Sequence, residues 1–312
     1  MYNSTPLITV VIPVFNRADL VVRCLDSVAA QTLRPLDVVL VDNGSSDGTL
    51  ERLEAWRDAV AADDFRVTVL SEPKPGACAA RNRGLHEVVT RYVMHFDSDD
   101  VMLPEHCEAA ARELGRRGWP RIMCWPVECV MLDGSRRRTH ALSGDPLFAH
   151  VFHAVLATQR FVAETALVVA SGGWNELLGG WNDWELGVRL LAGCDSVAGA
   201  DLGDTVIEYR QSSSITGNGF SDNPERWERA LDAADEMLAE RGMIRQRRWV
   251  EMRRVILAGC YRREGAVDHS RRLMREVCGR HRSVGRRWLY RLVCAYVSHG
   301  GRGVAEISKI VD

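Results

Sequence analysis

The 312-residue chain is long enough for one large domain or two, and 46% apolar with 26% charged residues is the balance of an ordinary soluble globular protein. Nine cysteines without one CxxC pair argue against a disulfide framework or a zinc site, and no apolar run reaches the roughly 18 residues of a membrane span; "MYNSTPLITVVIPV" reads as a strand and not a signal peptide, so a cytoplasmic protein is expected. The net charge of −2 conceals a split, −14 over residues 1–240 and +12 from Arg241 onward, which implies that the tail meets an anionic surface or packs on the acidic part.

In chain order, "LITVVIPVF" is a β-branched run fit for a strand buried on both faces, and "ADLVVRCLDSVAAQ" follows with helical spacing. "LDVVLVD" predicts a second strand and "SSDGTLERLEAWRDAVA" a second helix, with Asp47 as its N-cap. "FRVTVL", "GACAARNRGLHEVV" and "RYVMHFD" predict strand, helix and strand. Such alternation implies a mostly parallel sheet covered by helices on both faces, with ligands beyond the carboxyl ends of the strands. "PVFNR", "VDNGSSDGT" and "DSDD" all lie at those ends and should share one crevice. After Pro104 a helix leads to a strand pair turning at Asp133-Gly134, residues 143–163 are ambiguous, and "ETALVVA" predicts a strand. A Gly/Trp-rich loop, a helix from about Asp183, the strand "DTVIEYR" and the polar loop "QSSSITGNGFSDNP" follow. From Glu225 to His299 the pattern is successive helices broken near Gly242, Gly265 and Ser283. The expected divisions are a catalytic domain over 1–220, split into halves 1–103 and 104–220, and a helical region over 221–312.

Asp97 and Asp99, with Ser98 between them, end the fourth strand, where alternate carboxylates in a turn can reach one hard cation. Mn²⁺ or Mg²⁺ held by two carboxylates keeps places for phosphate oxygens; the bland alternative is an acidic turn with Asp99 or Asp100 capping the next helix. Asp42 and Asn43 close the second strand with groups able to bond a base edge, and Phe15 offers a stacking face. Arg81 and Arg83 open the third helix, available to phosphates or to Asp97.

Taken together, "ITVVIPVFNRADLVVRCLDSVAAQTLRPLDVVLVDNGSSDGTLERL", "GACAARNRGL" and "YVMHFDSDDVMLPEHC" resemble the inverting family 2 glycosyltransferases of GT-A fold over residues 7–107. The resemblance implies a nucleotide diphosphate sugar donor, held by Pro13, Val14, Phe15, Asn16, Asp42, Asn43, Arg81 and Ser98, with Asp97 and Asp99 as the metal-binding DXD motif. The family commonly has a second Asp where this chain has Asn43, which leaves uridine, thymidine and guanosine donors open. "GGWNDWELGVRLL" is similar to the family's acceptor-side ED motif, and implies Asp183 as general base toward an acceptor hydroxyl, with Glu185 as fallback and an N-cap as the structural alternative. Trp174 or Trp181 is expected on the acceptor pocket, and Arg210 near the phosphates; Gln211 stands where family members often have a metal-binding His, leaving His140, His150 and His153 as weak substitutes.

The expected function is therefore a metal-dependent, inverting glycosyl transfer, with a nucleotidyltransferase or an idle nucleotide-binding scaffold as alternatives. A nucleotidyltransferase would carry a Gly- and Lys-rich phosphate loop after the first strand, and "PVFNRADL" has none. No nucleic-acid partner is expected. In the tail, Trp288, Leu289, Leu292, Val293 and Tyr296 recur at helical spacing among Arg286, Arg287 and Arg291, which suits peripheral membrane contact, self-association or packing on neighbouring helices.

Overall fold

The structure, a computed structural model, describes residues 5–210 and 219–311; Gln211 and most of the polar loop that it begins lie outside the described residues. The first half alternates β1 (Ile8–Val14), α1 (Val21–Ala29), β2 (Leu36–Asp42), α2 (Thr49–Val60), β3 (Phe65–Ser71), α3 (Ala77–Leu85) and β4 (Tyr92–His95). Next come β5 (Val101–Met102), α4 (His106–Arg116), β6 (Ile122–Cys124), β7 (Glu128–Val130), β8 (Arg136–Arg138), α5 (Pro146–His153) and β9 (Phe161–Glu164). α6 (Thr165–Ala170), α7 (Asn182–Ala192), β10 (Val197–Gly199) and β11 (Val206–Tyr209) complete the sheets. Five helices follow: α8 (Pro224–Glu240), α9 (Ile244–Arg263), α10 (Val267–Gly279), α11 (Val284–Ser298) and α12 (Val304–Val311).

The main sheet has seven strands in the order β10-β6-β9-β4-β1-β2-β3, parallel except for β9, which runs against both neighbours. Its central strands are buried on both faces, and the period of two divides their side chains between two cores. Val11, Val39 and Val41 join the core under α3, α7 and the C-terminal helices, while Ile8, Val10, Ile12, Val38 and Leu40 join the core under α1 and α4. α8 to α11 thus share a continuous apolar core with one face of the sheet. β11 lies in a small second sheet, β5-β11-β7-β8.

Two expectations are corrected. "TALVVA" is the helix α6 and not a strand, because β9 runs out of partner at Glu164, which pairs with Tyr92 at the first residue of β4. Asp47 does not occupy the N-cap of α2, which is Gly48 in a left-handed conformation; its carboxylate instead accepts from Thr49 N and from Ala18 N, tying two loops together.

The order β4-β1-β2 makes β1 the point where the chain's path across the sheet reverses, and the crevice that results lies beyond the carboxyl ends of these strands. Gly84 fixes how closely α3 approaches it. A Cβ there would sit 2.5 Å from Val11 Cγ1 and 3.1 Å from Val41 Cγ2, so the helix carrying Arg81 lies directly on β1 and β2.

Candidate active site

The ends of β1, β2 and β4 open into one cleft of about 560 Å³. Pro13, Val14 and Phe15 line one side of it, with Phe15 56% exposed and able to offer a stacking face. Asn43 lines another, but its amide is already engaged. Nδ2 donates to the Glu72 and Lys74 carbonyls (2.9 and 2.7 Å), and Oδ1 accepts from Gly76 N at 2.8 Å. Asn43 thereby shapes the loop 72–76, which itself faces the cleft through Pro75 and Gly76. Asp42 lies behind this wall. One of its oxygens accepts from the Gly44 and Ser45 amides, and Oδ1 is buried without a partner among the described residues. Asn16 is turned away from the cleft: in a left-handed conformation (φ 48°), it accepts from Ser46 N and braces the β2–α2 loop.

Arg81, Asp97, Ser98 and Asp99 all line this cleft. Arg81 Nη2 donates to Asp97 Oδ1 at 2.7 Å, its guanidinium stacks 4.3 Å over the Trp174 ring, and Trp174 Nε1 donates to His95 Nε2 at 3.1 Å. His95 accepts in its neutral form, since burial pushes its pKa down to about 3. Burial, and then the charge of Asp97, holds the Asp99 carboxyl above the usual range, with Arg17 no nearer than 4.0 Å. Asp100 is committed elsewhere: it takes Tyr209 N at 2.7 Å and faces the Gln159 amide, and burial followed by its acidic neighbours pushes its pKa up to about 9. Neither Asp99 nor Asp100 caps the following helix, whose N-cap is Glu105 without a side-chain bond.

Among the described residues no three His, Cys, Asp or Glu side chains group as a metal site. The donor set that remains is the pair Asp97/Asp99. It suits a hard cation that keeps waters or phosphate oxygens in its shell; such a cation would relieve the repulsion from Asp97 that, after burial, raises the Asp99 pKa. The histidines considered as a third ligand do not reach it. His150 bonds Trp184 O and Leu156 N with its two ring nitrogens, and His140 and His153 pack against each other, tilted, with ring centroids 4.2 Å apart.

A second cavity of about 380 Å³ adjoins the first and shares Ala77, Arg81, Asp97, Gln159, Glu208 and Arg210 with it. Asp183 and Trp181 line this second space. Asp183 is the second residue of α7 and not its N-cap, a place taken by Trp181 at φ 49°. Its Oδ1 accepts from Trp184 N at 2.7 Å, and burial raises its pKa. Glu185 points away, into a double hydrogen bond with Arg189 at 2.6 and 2.8 Å. Trp174 lines neither cavity. It is a correction to the expected acceptor wall, because its indole is buried between Arg81 and His95. Arg210 lines both cavities.

The sequence reading missed several contributors. Arg17 stands beside Asn16 in "PVFNR" and was legible there, since it lines the cleft next to Asp99. Gln159, Arg160 and Arg253 come from segments without any motif; Arg160 clamps Glu208 by two bonds of 2.7 and 2.6 Å.

Residues 9–142 match the family model described as Glycosyl transferase family 2. Over 111 residues the chain is 32% identical to the hyaluronan synthase of Pasteurella multocida, covering 36% of this chain and 11% of that protein. The glycosyltransferase GlyG of Streptococcus pneumoniae is 37% identical over 97 residues, 31% of each chain. The chain spans 11% and 31% of the length of these two curated relatives. Among solved structures, S. aureus TarS 1–349 aligns with TM-score 0.60 at 17% identity, covering 85% of this chain and 89% of that one. The mannosyltransferase PcManGT of Pyrobaculum calidifontis, solved with GDP-Man and Mn²⁺, aligns with TM-score 0.57 at 14% identity, covering 99% and 88%. Residues 9–142 thus resemble glycosyl transferase family 2, and the chain that carries them has the GT-A fold of these solved structures.

Proposed function

We propose that this protein transfers a glycosyl group from a nucleotide diphosphate sugar to an acceptor hydroxyl, with inversion at C1. The observation that carries the reading is the junction of the two cavities: Asp97 lines both the donor cleft and the second cavity, and Asp183 lines the second. The nucleoside would lie between Phe15 and the loop that Asn43 shapes, with its diphosphate toward Asp97, Asp99 and Arg17. Asp97 and Asp99 would hold a divalent cation, Mn²⁺ or Mg²⁺, which supplies charge neutralisation for the leaving diphosphate. Asp183, facing C1 from the acceptor side, takes the proton of the attacking hydroxyl as the new C1–O bond forms and the bond to the diphosphate breaks. A carboxyl whose pKa is raised by burial is a better base for this purpose than one in water. Support for the donor class comes also from the neighbours solved with UDP, UDP-GlcNAc and GDP-Man.

The test is a panel of uridine, thymidine and guanosine diphosphate sugars incubated with Mn²⁺, read as released nucleoside diphosphate, beside Asp99→Ala. Wild type should turn over one donor class and Asp99→Ala none, with both melting alike. Pyrophosphate release from nucleoside triphosphates would favour a nucleotidyltransferase, and no turnover of any donor an idle binding protein.

We also place a peripheral membrane contact on α11. Its inward face, Tyr290, Val293, Cys294 and Val297, is buried, while Val284, Trp288, Leu292 and Tyr296 form an exposed stripe at four-residue spacing. Beside it runs a groove lined by Arg271, Arg275, Arg287 and Arg291. Apolar anchors rimmed by arginine fit an anionic bilayer. No helix among the described residues is long and apolar enough to cross one. Co-sedimentation with phosphatidylglycerol vesicles should exceed that with phosphatidylcholine and fall in Trp288→Ser/Leu292→Ser; concentration-dependent dimerisation without vesicle binding would assign the stripe to self-association.

A further inference from the structure

The second cavity is roofed in part by the C-terminal helices, and these bring to it a cation that the rest of the site does not use. Arg253, on α9, lines the cavity with Trp181 and Trp227. Its guanidinium centre lies 4.8 Å from the centroid of the Trp181 ring, and its buried Nε has no hydrogen-bond partner among the described residues. No described carboxylate forms an ion pair with it, and the segment 211–218 contains no Asp or Glu. Three neighbouring arginines each face a carboxylate: Arg81 with Asp97, Arg160 with Glu208 and, one residue along the helix, Arg254 with Asp232 at 2.7 Å. The cost of burial is visible as a lowered proton affinity of Arg253. The aromatic face of Trp181 offsets part of that cost, but a half-buried cation without an anion is a poor resting arrangement unless something anionic enters.

We propose that Arg253 receives an anionic group, phosphate or carboxylate, carried by the acceptor whose hydroxyl is presented to Asp183. This deepens the reading of the second cavity as the acceptor site and rests on it. Asp183 and Arg253 line this cavity from different elements, α7 and α9, so they can meet the acceptor at two points. Two-point capture, hydroxyl at Asp183 and anion at Arg253, fixes which hydroxyl of a polyol or sugar faces the donor. The guanidinium is suited to this because its fork takes either oxyanion through paired N–H donors.

The experiment is calorimetric titration of D-glucose 6-phosphate, D-glucuronate and D-glucose into wild type, Arg253→Met and Arg253→Lys, run on the free protein and again with Mn²⁺ and saturating UDP, dTDP or GDP, whichever wild type retains best. Retention of the three nucleotides by wild type is measured first, so failure of the donor reading, binding of none, shows before any sugar is added. Wild type should bind at least one anionic sugar about tenfold or more tightly than glucose, the scale of one charge-assisted bond. Arg253→Met should lose that preference while melting no lower than wild type, since it keeps the packing and removes an unpaired, half-buried charge; Arg253→Lys should retain most of it. Preference for the phosphate alone or the uronate alone identifies the group. Equal binding of all three sugars by wild type, or an undiminished anion preference in a folded Arg253→Met protein, overturns the proposal.

Discussion

An Asp183→Asn substitution separates proton acceptance from structure. Oδ1 of Asp183 takes the Trp184 amide at 2.7 Å, and the asparagine oxygen can fill that place unchanged. The first turn of α7 is also held from outside, because His150 donates to the Trp184 carbonyl at 2.8 Å in the pocket that Gly187 leaves open. The helix should therefore keep its start. The sign of the pH effect follows from the raised pKa: the native state holds the Asp183 proton to higher pH than the unfolded chain, so this residue costs increasing stability as pH rises from about 4 toward its folded pKa. The variant should melt with wild type near pH 4 and at or slightly above it at pH 7. Turnover with acceptor should fall by about 10² to 10⁴, roughly 3 to 5 kcal/mol of barrier, with donor affinity little changed. The wild-type rate should rise with pH through the elevated Asp183 pKa, and the residual rate of the variant should lack that limb. The assay is release of nucleoside diphosphate with and without acceptor, beside melting curves and donor titration. A stable Asp183→Asn protein that transfers within about threefold of wild type would refute the assignment, since the fall expected of a general base is far larger.

Asn43→Asp would set a carboxylate against the Glu72 and Lys74 carbonyls, so uridine, thymidine and guanosine diphosphates should all bind more weakly and stability should drop by about 1–3 kcal/mol; a change of preference among the three in calorimetry would show that Asn43 reads the base instead. Gly84→Ala places a methyl 2.5 Å from Val11 Cγ1 and should cost about 1–3 kcal/mol in urea unfolding, with donor affinity reduced as α3 and Arg81 shift. Wild-type stability and affinity in that variant would mean the sheet yields at no cost. Asp100→Ala strands the part-buried Tyr209 amide and should lose about 1–3 kcal/mol, whereas Asp100→Asn should stay near wild type; equal melting of the two would remove Asp100 from the link between β4 and β11.

The doubly covered sheet was legible because strands buried on both faces leave unbroken β-branched runs, and helices leave a period of 3.6. The carboxyl ends of β1, β2 and β4 could be aligned from topology alone, and so could the meeting of Phe15, Asn43, Asp97 and Asp99 at one cleft. The breaks at Gly242, Gly265 and Ser283 were equally plain, since a left-handed glycine or a capping serine acts on its own few residues. Side-chain partnership is another matter. Asn43 looks like a free amide until the loop 72–76 folds over it, and Trp174 looks like a sugar platform until Arg81 and His95 enclose it. "TALVVA" has the composition of a strand and becomes a helix because the sheet has no further partner for it. Arg253 lies 70 residues beyond Asp183 in a helix chosen by packing, and nothing near it in the chain marks it. Local sequence fixes backbone period and turn chemistry, which depend on neighbours within a few residues. Which polar groups are left unsatisfied, and face a ligand, depends on contacts between distant segments, and those exist only once the cores have closed.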